Sequence, residues 1–235
     1  MMQWIPKLYK YRHISFDLWL TLIKSHPEFK VYRNLLFKEY FQISKPIEEV
    51  AAVIRKFDIL TNSINEKVGR NFDTFEIYYL ILDALAVDIE TVSRQQLEDF
   101  YTQTHNLLMQ YKPVLLQDDI PQALQQLKGE GKTMNILSNT AFIKGSSLKL
   151  VLAHYGLDEV FNFQVYSDEV GYSKPSNGIY QCTYNKITAI GNIAKNEVVH
   201  VGDNIVSDYN GALAFGFDAH LIINSPVNEP NLQPA

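Results

Sequence analysis

The chain has 235 residues, of which 46% are apolar, 12% aromatic and 20% charged; that is room for one large domain or a domain with an insertion, and too apolar for a disordered chain. A formal net charge of −5, with no run of Lys or Arg, leaves no electrostatic footprint for nucleic acid or an anionic membrane. The single cysteine, Cys182, excludes an internal disulfide and a thiolate zinc site, which suits a cytoplasmic protein.

In chain order, the N-terminal segment carries Lys7, Lys10 and Arg12, but the apolar run from Ile14 to Ile23 is broken by Asp17 and lacks a small-residue cleavage site. No signal peptide is expected. Nor is a membrane span, because the richest other apolar stretch, Ile77 to Val87, is short and contains Asp83. Residues 13–17 read His-Ile-Ser-Phe-Asp, the alternation of a strand that delivers an acid to its C-terminal edge. From Pro27 to Tyr111 the apolar spacing turns helical, with Val31, Leu35 and Leu36, then Ile47, Val50 and Ile54, then Phe75, Tyr78 and Leu82, then Leu97, Tyr101 and Leu108. Lys112-Pro113 ends this block.

Beyond it, helices and strands alternate: helix 119–129, strand 133–137, helix 148–155, strand 161–166, helix 176–187, strand 197–201, helix 206–215 and strand 219–223, with an irregular tail from Asn224. A helical block of roughly 85 residues far exceeds an ordinary connection. The pattern predicts an α/β protein with a Rossmann-like parallel sheet core, residues 1–24 and 112–235, and an all-helical cap domain, residues 25–111, inserted after the first strand.

Four short features fall at predicted strand ends: Asp17-Leu18-Trp19-Leu20-Thr21-Leu22, Ser138-Asn139-Thr140, Ser173-Lys174-Pro175, and Gly202-Asp203-Asn204 followed by Asp208. In open α/β sheets the ligand crevice lies outside the carboxyl ends of the strands, so all four are expected to meet at one site. An acid such as Asp17 inside so apolar a run is costly to bury without a partner.

In order and spacing these features resemble the four motifs of the haloacid dehalogenase superfamily, mostly Mg²⁺-dependent phosphatases with a minority of dehalogenases. The resemblance covers Ile14 to about Ile223. It implies that Asp17 is the nucleophile, that Ser138 with the backbone around Asn139 donates to phosphate oxygens, and that Lys174 holds the charge of both. It also implies Mg²⁺ bound by Asp17, the Trp19 carbonyl and Asp203, with Asp208 a further ligand or a partner behind them. Asn139, Thr140 and Trp19 are expected to line a small phosphorylated substrate. A carboxylate attacking phosphorus divides hydrolysis into two easier displacements, and a hard divalent ion with oxygen ligands suits that chemistry.

One departure matters. The phosphatases of the superfamily carry a second Asp two residues after the nucleophile, as general acid and base, and this sequence has Trp19 there. An indole N–H is a donor with no usable pKa, so it does neither task. The dehalogenases, which attack carbon without a metal, carry an aromatic at this position. Two hydrolase readings therefore stay open, with a phospho-ligand-binding fold without turnover as a third. His200 reads as a packed core residue, the stretch Phe72 to Tyr79 as cap core, and Arg33, Arg55, Lys67 and Arg70 as exposed helix charges. Oligomeric state leaves no mark in the sequence.

Overall fold

The computed structural model describes residues 5–223; the tail expected from Asn224 lies outside them. A short helix α1 (Ile5–Leu8) leads into β1 (His13–Phe16) and a tight turn to β2 (Ile23–Lys24). Four long helices follow: α2 (Phe29–Tyr40), α3 (Ile47–Val68), α4 (Thr74–Ala84) and α5 (Arg94–Gln110). The chain returns through β3 (Val114–Leu115) and then alternates: α6 (Ile120–Gly129), β4 (Thr133–Ser138), α7 (Gly145–His154), β5 (Phe163–Tyr166), the short α8 (Ser167–Val170), α9 (Asn177–Ile190) and β6 (Val198–Gly202). A wide π-helical turn (Ile205–Asn210), α10 (Gly211–Phe215) and β7 (Asp218–Leu221) complete it.

The five main strands form one sheet in the order β5-β4-β1-β6-β7, with every neighbouring pair parallel. Helices α6 and α7 bury Leu124, Leu127, Leu148 and Leu152 with Ile14 and Phe16 on one face. Helices α9 and α10 bury Ile179, Tyr180, Ala212 and Phe215 on the other. This is the two-sided cover that a parallel sheet requires. The antiparallel pair β2–β3, with Ile23 opposite Leu115, ties the point where the chain leaves the sheet to the point where it returns. Helices α2–α5 between them have an apolar core of their own, including Phe37, Val50, Ile54, Tyr78, Ile81 and Phe100. Their starts follow local rules, since Asp73 with Glu76 and Ser93 with Gln96 form capping boxes for α4 and α5. Two contacts seat the insertion on the sheet unit: Phe142, from the loop after β4, joins its core, and Phe29 and Leu108 pack on Val151 of α7.

Residues 13–16 form β1, as expected, and all of it is buried, with buried partners for its polar face. Cα register sets Ser15 opposite Asn135 and His200, and His13 opposite Thr133. The helix expected over 206–215 begins as a π turn because the Asn204 side chain accepts from the N–H groups of both Val206 and Ser207. Such π turns recur at functional sites. Among the described residues no helix is long and apolar enough to cross a membrane.

Candidate active site

The polar face of β1 runs through His13 and Ser15 to Asp17, whose N–H is fixed by the Val201 carbonyl of β6 at 2.8 Å. The chain then curls back, with the N–H groups of Leu22 and Ile23 both donating to the Leu18 carbonyl, and Leu20 in the left-handed region at φ 57°. A branched residue adopts that region only under strain, which sites of function tolerate.

Lys174 is the centre of the arrangement. Its ammonium is 1% exposed and donates to Asp17 Oδ1 (2.7 Å), Asp208 Oδ1 (2.6 Å) and the Leu137 carbonyl (2.8 Å), which uses all three protons. Asn139 holds the Lys174 backbone: its Nδ2 donates to the Lys174 carbonyl at 3.0 Å and its Oδ1 accepts from the Lys174 N–H at 2.7 Å. Asp208 also faces His200 Nε2 at 3.0 Å, while its Oδ2 accepts from the Asn204 N–H at 3.0 Å. His200 in turn meets Ser15 Oγ through Nδ1 at 3.0 Å. Gly202 makes room for this, because a Cβ there would lie 2.3 Å from the Asp208 carboxyl.

Asp17, Asp203 and Asp208 bring carboxylate oxygens within 4.8 Å of one another. Three acids share one ammonium, and their proton affinities record the imbalance. Burial, reinforced by Asp208 and opposed by Lys174, pushes Asp17 up to about 7. Burial and Asp208 push Asp203 up to about 6. Burial works on Asp208 as well, but Lys174 and His200 outweigh it and hold the carboxyl well below its usual range. Burial lowers His200, which keeps its ring neutral. Asp208 with Lys174 is thus the settled ion pair, while Asp17 shares the same ammonium and still titrates high, as Asp203 does.

Of the eight residues singled out in the sequence, Asp17, Lys174, Asp203 and Asp208 converge here. Ser138 is fully buried at the end of β4, its hydroxyl 3.2 Å from the Asn139 carbonyl. Trp19 is half-buried against the core, in the turn after Asp17. Thr140 engages a different network: its N–H donates to Ser167 Oγ at 2.7 Å and its hydroxyl to Asp168 at 2.9 Å. The side chains of Asn139 and Thr140 therefore serve the frame of the site.

His200 and Glu66 were not read from the sequence as parts of the site. His200 is a core residue as expected, yet it is also the second support of Asp208. A sequence signal existed in its place two residues before Gly202 on a strand whose other members are apolar. Glu66 comes from α3, and nothing in its neighbourhood of sequence marks it. Of the cations expected as exposed helix charges, Arg33 is half-buried over the Phe142 ring at 4.9 Å, Arg55 pairs with Asp58, and Arg70 lies past the end of α3, bridged to Tyr172 and 4.9 Å over its ring.

A profile of haloacid dehalogenase-like hydrolases matches residues 11–216. Haloacid dehalogenase-like hydrolase domain-containing protein 3 of Xenopus laevis is 28% identical over 145 residues, 62% of this chain and 52% of that protein. The chain spans about half the length of the curated relatives it matches. Among solved structures, the HAD-hydrolase YfnB from Bacillus subtilis, bound to magnesium, superposes with a TM-score of 0.66 at 16% identity, covering 89% of this chain and 87% of that one. A HAD phosphatase from Thermococcus onnurineus gives 0.63 at 20% identity over 94% and 90%. The L-2-haloacid dehalogenase of Xanthobacter autotrophicus gives 0.57 at 20% over 90% and 77%. At these identities the structures speak for the fold, and they share it across phosphatase and dehalogenase alike. The profile match runs from before β1 to just past α10 and so takes in four of the five strands of the sheet, the insertion and all four strand-end features: the chain belongs to the haloacid dehalogenase-like hydrolase family.

Proposed function

We propose that the chain is a Mg²⁺-dependent phosphatase acting on a small phosphorylated molecule through an aspartyl-phosphate on Asp17. The observation that carries this reading is the clustering of Asp17, Asp203 and Asp208, whose carboxylate oxygens lie within 4.8 Å of one another, with Asp17 and Asp203 both titrating high. An attack on carbon needs no cation and gains nothing from three crowded acids. The donor set is all hard oxygen, as Mg²⁺ prefers, with Asp17 and Asp203 as the carboxylates that would hold it and the Trp19 carbonyl beside them. When bound, the ion would neutralise charge on the transferring phosphoryl group.

The chain's own residues supply the rest. Lys174 grips Asp17 Oδ1 and leaves Oδ2, which makes no hydrogen bond among the described residues, to attack phosphorus. As the new O–P bond forms, the bond to the leaving oxygen breaks. Ser138 and the Asn139 N–H would face the phosphoryl oxygens at the end of β4, since the Thr140 N–H is held by Ser167 Oγ. Water then attacks phosphorus, restores the Asp17 carboxylate and releases phosphate. Without a carboxylate at Trp19 the leaving group departs unprotonated by that position, which favours acyl and aryl phosphates over alkyl ones. In this reading residues 25–111 act as a cap over a core of residues 1–24 and 112–235, closing over the substrate and excluding water.

The Trp19 indole favours a second reading, a 2-haloacid dehalogenase in which Asp17 displaces halide from carbon. A panel of phosphorylated metabolites and 2-haloacids, assayed with and without Mg²⁺, decides. Mg²⁺-dependent phosphate release that Asp17→Asn abolishes is expected. Metal-free halide release would replace the phosphatase by the dehalogenase, and neither product would leave a ligand-binding fold.

A further inference from the structure

Glu66 stands in the last turn of α3, where the helix dipole disfavours an acid. Its carboxylate leaves the insertion altogether. Oε1 accepts from Asn204 Nδ2 at 2.9 Å and from the buried Ser207 hydroxyl at 2.6 Å. These are the residues that shape the turn after β6. Asn204 caps the π turn through its Oδ1 and fixes Asp208 through its backbone N–H, and it directly follows Asp203.

The same end of α3 grips the opposite flank of the site. Gly69, at φ 70°, ends the helix, and its carbonyl accepts from the Ser173 N–H at 3.2 Å, one residue before Lys174. The Asn71 N–H donates to the Gly171 carbonyl at 3.3 Å, and its Oδ1 accepts from Ser167 Oγ at 2.7 Å. The approach is close: a Cβ on Gly69 would sit 2.6 Å from Ser176 Cβ. One stretch of the insertion, residues 66–71, thus bridges the loop that carries Asp203 and Asp208 and the loop that carries Lys174.

We propose that Glu66 is a positioning residue for the metal-binding turn: by holding Asn204 and Ser207 it keeps Asp203 and Asp208 turned toward Asp17, so that docking of the insertion and binding of a divalent cation strengthen each other. This rests on the reading of those three acids as the cation site. Coupling of this kind is reciprocal, since whatever the docked insertion adds to cation affinity the cation adds to docking.

The test uses the full chain and MgCl₂ alone. By calorimetry, Glu66→Ala should weaken Mg²⁺ binding about tenfold or more, the usual effect of removing a partner that orients ligands. Glu66→Gln keeps an acceptor oxygen for both donors and should recover most of that loss. By hydrogen exchange, Mg²⁺ should slow the Asn71 and Ser173 amides in the wild type and lose that effect in Glu66→Ala. A Glu66 with a purely local structural role would not make exchange in the insertion depend on Mg²⁺. Wild type that binds Mg²⁺, with Glu66→Ala binding it equally well, overturns the role of Glu66 and leaves the cation site standing. Gln as poor as Ala overturns positioning in favour of bare charge. Wild type that binds no Mg²⁺ removes the cation site and this coupling together.

Discussion

In the insertion, Phe37, Tyr78 and Phe100 meet ring against ring, with centroids 5.1–6.0 Å apart, while the equally buried His13, Asp17, Lys174, His200 and Asp208 of the sheet unit are all ionisable. The insertion keeps most of its charges outside, although burial lowers the Arg33 guanidinium and Glu66 turns toward the sheet unit. Its ion pairs are helix-surface neighbours such as Arg55–Asp58 and Arg94–Glu98, worth a few tenths of a kcal/mol. In the sheet unit a chain of polar contacts runs from Ser15 through His200 and Asp208 to Lys174 and Asp17. Apolar packing tolerates exchange of one ring for another, whereas a buried charge network fails when any member leaves. The difference assigns stability to one region and chemistry to the other. Polar links also join the two, among them Tyr101 and His105 to Ser147 and Asn71 to Ser167, and Glu66 reaches the turn beside the acids.

The contrast is sharpest if each region loses one large buried side chain. Lys174→Met strands Asp17 and Asp208, and removing one partner of a buried ion pair typically costs about 3–5 kcal/mol. Denaturant unfolding should show a loss that is larger at pH 8 than at pH 6, where a stranded Asp17, already raised to about 7 with Lys174 present, takes up a proton more readily. Millimolar Mg²⁺ should recover part of it, since a cation among the same carboxylates replaces the missing charge. Phe100→Ala removes a ring that is 1% exposed and should also cost about 3–5 kcal/mol. Its loss should be the same with and without Mg²⁺. If Mg²⁺ instead restores Phe100→Ala and leaves Lys174→Met unchanged, the division of labour between the regions is wrong.

How far each region was legible follows from the same contrast. The helical spacing of Val50, Ile54, Tyr78 and Leu82 announced the insertion because an apolar helix face writes its period directly into sequence. The strand ends at Asp17, Ser138 and Gly202 were legible for a related reason, as polar or small residues abruptly following apolar runs. What the sequence hid was pairing across distance. Ser15 beside His200, 185 positions apart, and Glu66 beside Ser207, 141 apart, depend on sheet register and on how the insertion docks. No local pattern encodes either. Alternation in β1 marks a strand but not what its polar face meets, because polar residues facing a buried partner look the same in sequence as polar residues facing water. Asn139 and Thr140 were read as lining a substrate, and only the folded chain shows their side chains bound to the Lys174 backbone and to Ser167 and Asp168.

His13 gives the smallest and most specific way to test whether the buried polar face of β1 is maintained by neutral, fully paired groups. Its Nδ1 lies 2.8 Å from Thr133 Oγ1 and its Nε2 lies 2.7 Å from Asn135 Oδ1. The amide oxygen only accepts, so Nε2 carries the proton and Nδ1 accepts from the threonine hydroxyl. Burial lowers the ring from 6.5 to about 4. Above pH 6.5 the folded and unfolded chains both hold His13 neutral, and its contribution is complete. Between 6.5 and 4 only the unfolded chain takes up the proton, so stability falls as pH falls. Asp17 and Asp203 act with the opposite sign, because their raised affinities let the folded chain take protons first on the way down. The wild-type curve alone therefore mixes the two. A His13→Asn variant isolates the ring: the stability difference between wild type and variant, from urea unfolding, should shrink by about 2 kcal/mol from pH 7 to pH 5. A difference that stays constant over that interval would mean that the ring takes its proton as readily in the fold as in water, and that the face of β1 is open to solvent after all.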